Sequence, residues 1–226
     1  MLLSVLIPAY NEINNIEKIL NKVAEIDIPK EIIVVDDGST DGTRELLTRL
    51  KSNVLKVVFH EKNKGKGEAI KTAIQYATGD VIIIQDADLE YDPQDYYKLV
   101  PLVASGQEKV VYGSRFLNKQ NKHSYFSFFL GGQVVTWITN ILYWQNLTDE
   151  PTCYKVFDAT LLKSIKLNCT GFEFCPEVTA KVAKLGFKIP EVAINYFPRS
   201  ISEGKKINWK DGVEAIWVLV KYRFVN

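Results

Sequence analysis

The chain shows almost no excess of charge of one sign. Its 28 basic and 27 acidic residues leave a formal net charge of +1 over 226 residues. A nucleic-acid binder normally carries a large basic surplus, so no nucleic-acid partner is expected. Cysteine is also scarce: only Cys153, Cys169 and Cys175 occur. Their number is odd, no CxxC is present and no zinc spacing fits. They read as reduced cysteines of an intracellular protein. No apolar run reaches the roughly 18 residues that a membrane-spanning helix needs. The N-terminus passes straight into Leu2-Leu3-Ser4-Val5-Leu6-Ile7, without a basic region or a small-residue cleavage site. It reads as a strand rather than a signal peptide, and the expected location is cytoplasmic. The sequons at Asn146 and Asn168 are then chance matches. Repeats and low-complexity linkers are missing. So are two phosphate-binding signatures, GxxxxGK[ST] and GxGxxG, because Gly65-Lys66-Gly67 continues as Glu68-Ala69-Ile70.

What is present is 46% hydrophobic content, enough for one well-buried domain over residues 1–226. The first half alternates two patterns. Short apolar runs predict strands at Leu3 to Pro8, Glu31 to Asp36, Val54 to His60, Asp80 to Gln85 and Glu108 to Gly113. Between them, helical spacing predicts helices over Glu12 to Ile26, Thr43 to Leu50 and Gly67 to Ala77. A further helix starts with Asp92 as cap and Pro93 in its first turn. Alternation of this kind implies an α/β fold, a Rossmann-like, mostly parallel sheet with helices on both faces. Beyond residue 115 the expectations are a helix over 127–144, a strand near Tyr154 to Phe157, a helix over 174–185, a strand near Lys188 to Tyr196 and a helix over 209–222.

Ligands of such sheets bind beyond the carboxyl ends of the strands. The notable polar residues sit there. Asp86-Ala87-Asp88 follows Val81-Ile82-Ile83-Ile84, so a buried strand holds two carboxylates at the sheet edge. They can share Mg²⁺ or Mn²⁺, with Glu90 as a candidate third ligand. Asp37, in Asp36-Asp37-Gly38-Ser39-Thr40-Asp41-Gly42, could accept from a base N–H or a ribose hydroxyl. The same segment could instead be an acidic turn capping the next helix. In Pro8-Ala9-Tyr10-Asn11-Glu12, Tyr10 could pack on a base and Glu12 could bind ribose or base. Asn63-Lys64-Gly65-Lys66-Gly67 combines close backbone approach with positive charge from Lys64 and Lys66.

In this order the four motifs resemble the family 2 glycosyltransferases of GT-A fold. Gly113-Ser114-Arg115-Phe116, Asp149-Glu150-Pro151-Thr152-Cys153-Tyr154, Phe172-Glu173-Phe174 with Glu177, and Pro198-Arg199 followed by Glu203-Gly204-Lys205-Lys206 look most like the dolichyl- or polyprenyl-phosphate sugar synthases. The resemblance implies a nucleotide-sugar half over about 1–115 and an acceptor half over about 116–226. It implies inverting transfer of a hexose from a GDP- or UDP-sugar to a polyprenyl or dolichyl phosphate. Pro8, Tyr10, Glu12 and Asp37 would line the nucleoside pocket. Asp86, Ala87 and Asp88 would carry the metal and diphosphate, with Lys64, Arg115, Arg199 and Lys205 or Lys206 on phosphates. Glu90 stands where the mannosyl enzymes often carry glutamine. A hydroxyl acceptor would need a carboxylate base, for which Asp149 or Glu173 is available. A lipid phosphate is already anionic, and the QxxRW motif of processive members is missing. A silent nucleotide-sugar-binding module is disfavoured by the intact Asp37, Asp86, Asp88 and Arg115. A nucleotidyltransferase is disfavoured by the lack of a glycine-rich basic loop after the first strand.

Residues 125–144 are rich in aromatic and aliphatic side chains. They form either a buried core helix or a helix at the bilayer surface, for which Tyr125, Trp137, Tyr143 and Trp144 suit the interface. The second case predicts peripheral attachment at the cytoplasmic face, directly or through a membrane-protein partner, and binding to anionic liposomes.

Overall fold

Apolar runs buried on both sides form the centre of the molecule. A computed structural model describes residues 1–122, 126–199 and 209–225, leaving out the side chains of 126–128. Strands β1 (Leu3–Ala9), β2 (Lys30–Asp36), β3 (Leu55–Phe59) and β4 (Val81–Ile84) pair in parallel, in the order β3-β2-β1-β4. Helices α1 (Ile16–Ala24), α2 (Thr43–Arg49) and α3 (Lys66–Tyr76) are their crossovers. Leu3, Val5, Leu6, Ile7, Ile33, Val34, Val35, Ile82 and Ile83 are buried, each side chain contributing about 1.5–3 kcal/mol.

The chain then completes the sheet through α4 (Tyr96–Ala104), β5 (Val110–Ser114), α5 (Phe126–Tyr143), β6 (Lys155–Asp158), α6 (Ala159–Ser164), α7 (Phe174–Lys184), β7 (Glu191–Ala193) and α8 (Trp209–Phe224). The seven-stranded order is β3-β2-β1-β4-β6-β5-β7. Most pairs are parallel, as expected. The exception is β6, which inserts between β4 and β5 antiparallel to both. Its N-terminal end therefore lies beside the C-terminal ends of its neighbours, and residues 149–154 arrive at the same edge as Asp86 and Arg115.

The Asp92 cap forms as predicted, its side chain accepting from the Gln94 amide at 3.1 Å, and Pro93 opens a 3₁₀ turn ahead of α4. Two spans differ from expectation. α1 begins at Ile16 because Glu12 to Asn15 form a turn in which the Glu12 carbonyl accepts from the Asn15 and Ile16 amides. β7 is short because Asn195 and Tyr196 turn away to bond Asp95 and Asn121. Helix α6 was not anticipated. Among the described residues no helix is long and apolar enough to cross a membrane.

Candidate active site

Because β2 lies on one side of β1 and β4 on the other, the crossovers diverge and leave a crevice at the carboxyl edge. The ends of β1, β2, β4 and β5 open onto this edge. They carry Pro8-Ala9-Tyr10, Asp36-Asp37, Asp86-Ala87-Asp88 and Ser114-Arg115.

Asp37 is buried and anchors the loop between β3 and α3. Its Oδ1 accepts from the Lys64 amide at 2.9 Å and bonds His60 Nδ1 at 2.7 Å. Its Oδ2 accepts from the Gly65 amide at 2.7 Å. The next helix has Gly42 at its cap position, and Asp41 just before it accepts from the amide of Thr43 through Oδ1. Lys64 thus contributes its backbone to the loop while its side chain is exposed. Asp36, also buried, finds no hydrogen-bond partner for either oxygen among the described residues, and Arg44 Nη1 is 3.6 Å away.

Gly65 shapes the same loop. Its φ of +97° lies in the left-handed region, and a Cβ there would press against the carbonyl oxygen of Thr170. Glu173 fixes that neighbouring turn by accepting from the Thr170 and Gly171 amides. Burial pushes the Glu173 carboxyl up, but these amides outweigh it and hold the pKa below its ordinary value. Gly65→Ala is therefore expected to lose about 1–3 kcal/mol of stability, read from the urea midpoint. A midpoint equal to that of the wild type would refute the close approach.

The Asp86-Ala87-Asp88 turn is rigid. Buried Gln85 accepts from the hydroxyls of Tyr96 and Tyr154 at 2.6 and 2.7 Å and donates to the Asp86 carbonyl at 2.9 Å. Leu89 sits at a φ of 64°, a strained conformation for a side chain of this size. Each aspartate faces a cation. Lys66 Nζ is 2.5 Å from Asp86 Oδ1, and Arg199 Nη2 is 3.0 Å from Asp88 Oδ2. Burial pulls the Lys66 pKa down, but the Asp86 carboxylate outweighs it and the net shift is upward. The Asp88 carboxyl is raised by burial and by the charges of Asp86 and Glu90, with Arg199 opposing.

Arg199 gathers three carboxylates. Besides Asp88, its Nη1 is 3.3 Å from Glu12 Oε2, and its backbone amide donates to Glu90 Oε1 at 2.8 Å. Glu90 Oε2 accepts from the Tyr196 hydroxyl at 3.1 Å. Both Glu90 oxygens therefore hold the 196–199 segment. Among the described residues no group of three His, Cys, Asp or Glu side chains is arranged to hold a metal ion. Arg199 Nε is buried without a partner among the described residues.

On the far side, Asp149 is fully buried and holds Arg115. It accepts from the Arg115 amide, Nε and Nη2 at 2.9, 2.7 and 2.6 Å. Burial lowers the guanidinium pKa, Asp149 raises it, and the carboxylate wins. Asp149 thus positions a cation and offers no exposed carboxylate. Pro8 and Tyr10 are half-buried at the β1 end. Lys205 and Lys206 lie outside the described residues. The pairings of Lys66, Gln85 and Tyr196 were missed in the sequence, where Lys66 had shown only as a loop charge.

Two comparisons define what kind of protein this is. The fold matches a crystal structure of glucosyl-3-phosphoglycerate synthase from Mycobacterium tuberculosis in complex with Mn²⁺, uridine-diphosphate and phosphoglyceric acid. The TM-score is 0.74 at 19% identity, over 99% of this chain and 79% of that one. The sheet is thus a GT-A sheet. Residues 4–164 match the family model of glycosyl transferase family 2, and the chain belongs to that family. It is 29% identical to a dolichol-phosphate mannosyltransferase of Pyrococcus furiosus, over 91% of this chain and 59% of that protein. It is also 29% identical to a UDP-N-acetylglucosamine–dolichyl-phosphate N-acetylglucosaminyltransferase of Methanococcus voltae, over 91% of this chain and 90% of that protein. The chain thus spans less than two thirds of the Pyrococcus relative's length.

Proposed function

We propose that this chain transfers a hexose, with inversion, from a nucleoside-diphosphate sugar to a polyprenyl or dolichyl phosphate. The observation that carries the reading is the set of cations lining the edge. Lys66, Arg115 and Arg199 are all held in place by carboxylates, and Arg199 Nε is buried with no acceptor among the described residues. An unsatisfied buried donor costs about 1–3 kcal/mol, and a phosphate oxygen would relieve it. The relatives' names agree, since both act with a dolichyl or dolichol phosphate.

In this reading Pro8, Tyr10 and Glu12 border the nucleoside. Asp37 fixes the 63–67 loop, and its Oδ2 keeps a lone pair for a base N–H. Asp86 and Asp88 suit Mg²⁺ or Mn²⁺. They are hard oxygen donors, and Asp88, its pKa raised by burial first and then by the charges of Asp86 and Glu90, sits where a cation would relieve that charge. When bound, such a cation stabilises charge on the leaving diphosphate. Glu90 positions Arg199 instead of ligating. Lys66, Arg199 and Ala87 lie along the diphosphate, and Arg115 meets the acceptor phosphate. The acceptor is an anion, so no base has to remove a proton from it. Asp149, engaged on Arg115, agrees with that requirement.

The test is incubation of the purified protein with labelled UDP- and GDP-hexoses, Mn²⁺ or Mg²⁺, and a polyprenyl phosphate in detergent. A labelled, solvent-extractable lipid product is expected. Transfer only to a soluble alcohol would overturn the acceptor assignment. Failure to consume any donor would overturn the activity.

A further inference from the structure

His60 belongs to none of the sequence motifs, yet its ring is buried against Asp37. Its Nδ1 lies 2.7 Å from Asp37 Oδ1, and its Nε2 lies 3.0 Å from the Thr72 hydroxyl of α3. A carboxylate only accepts, so Nδ1 carries the hydrogen and donates. The Thr72 bond holds the ring from its other side. The backbone reinforces the arrangement. The His60 amide donates to the Asp36 carbonyl at 2.9 Å, and the Asp37 amide donates to the Ala9 carbonyl at 2.8 Å. Arg44 Nη1 donates to the His60 carbonyl at 2.9 Å. The ends of β1, β2 and β3 are thereby tied together around one carboxylate.

The acceptor capacity of that carboxylate can be counted. Each oxygen accepts about two hydrogen bonds. Asp37 Oδ1 already takes the Lys64 amide and His60. Oδ2 takes the Gly65 amide, which leaves one position on Oδ2. The neighbouring acids are engaged elsewhere. Asp36 precedes Asp37 along the strand, so its side chain points to the opposite face, where Arg44 Nη1 is 3.6 Å away. Glu12 Oε2 accepts from Asn15 Nδ2 at 2.8 Å and faces Arg199 Nη1 at 3.3 Å. The turn after Asp37 also presses on residues 62–63. A Cβ on Gly38 would lie 2.6 Å from the Asn63 nitrogen. A base therefore has no room to slide that way and bring a different edge to Oδ2.

Nucleobases differ in the donors that they present side by side. Uracil has one N–H, at N3, between two carbonyl oxygens. Guanine has N1–H next to its 2-amino group, a pair that a carboxylate takes with both oxygens. At Asp37 the second donor of guanine would stay unpaired, because His60 fills Oδ1. A buried site discriminates most strongly through such unpaired groups. We infer that His60 is a specificity-determining positioning residue: by filling Asp37 Oδ1 it leaves a single acceptor, which selects a uridine diphosphate sugar over a guanosine one. The inference rests on the reading of Asp37 as the contact to the base, and it narrows that reading to uridine.

Calorimetric titration of the whole protein with UDP, GDP and N3-methyl-UDP, in the presence of Mn²⁺ and without acceptor, provides the test. UDP should bind about 10- to 100-fold more tightly than GDP, the range for one buried donor left unpaired. N3-methyl-UDP has no N–H to give and should lose a similar factor. His60→Leu frees Oδ1 and should bring the ratio of the UDP and GDP constants near one. His60→Asn keeps an N–H at the place of Nδ1 and should keep the preference. A merely structural His60 would weaken both nucleotides alike and leave their ratio unchanged, which would overturn the inference. Equal or tighter binding of GDP by the wild type would overturn it too, while leaving the nucleotide site standing. Should His60→Leu fail to fold, the methylated nucleotide still decides, since its undiminished binding would show that Asp37 does not read N3. Binding of neither UDP nor GDP would remove the nucleotide reading, and the inference with it.

Discussion

Replacing Asp149 with alanine is expected to cost about 3–5 kcal/mol of folding stability. Asp149 is fully buried, and its partner Arg115 keeps only 18% of its side-chain surface exposed. Removing the carboxylate leaves a buried guanidinium with its Nε and Nη2 donors unmet, and the Arg115 backbone amide unmet beside them. The loss comes from that stranded charge more than from the lost bonds. The double substitution Arg115→Met with Asp149→Leu should therefore be more stable than Asp149→Ala alone, although it would abolish transfer. Urea unfolding of the three proteins decides the matter. An Asp149→Ala midpoint within about 1 kcal/mol of the wild type would show that the pair is not the anchor described.

Asp86→Asn should act on chemistry and spare the fold. Asn keeps an oxygen for Lys66, so the stability change should stay within about 1–2 kcal/mol. On the proposed assignment, kcat/KM should fall about 100- to 1000-fold, or about 2.7–4 kcal/mol. Mn²⁺ affinity, followed by electron paramagnetic resonance in the presence of nucleoside diphosphate, should fall with it. Unchanged Mn²⁺ binding would move the ion away from Asp86. The contrast between the two substitutions separates a residue that holds the site together from one that meets the ligand.

The strands were legible because each is specified locally. Val81-Ile82-Ile83-Ile84 must be buried wherever it goes, and the polar residues after it must then emerge at an edge. The Asp92–Pro93 start of the 3₁₀ turn was legible for the same reason, since its cap bond spans two residues. The partners of those edge residues were not. Lys66 meets Asp86 across a strand and a helix, and Arg199 reaches Asp88 over 111 residues of chain. Nothing in the spacing of either pair announces it. Glu90 shows the same limit: its oxygens hold the Tyr196 hydroxyl and the Arg199 backbone amide, 106 and 109 residues along the chain.

By itself, then, the sequence determined the parallel half of the sheet, the position of Asp37, Asp86 and Arg115 at strand ends, and the family. All follow from short-range burial and from the order of motifs. Only the tertiary structure decided that β6 runs antiparallel between β4 and β5, that Asp149 is consumed by Arg115, and that His60 fills one oxygen of Asp37. Those outcomes depend on which elements become neighbours, and that is set by the packing energy of the whole chain rather than by any one segment of it.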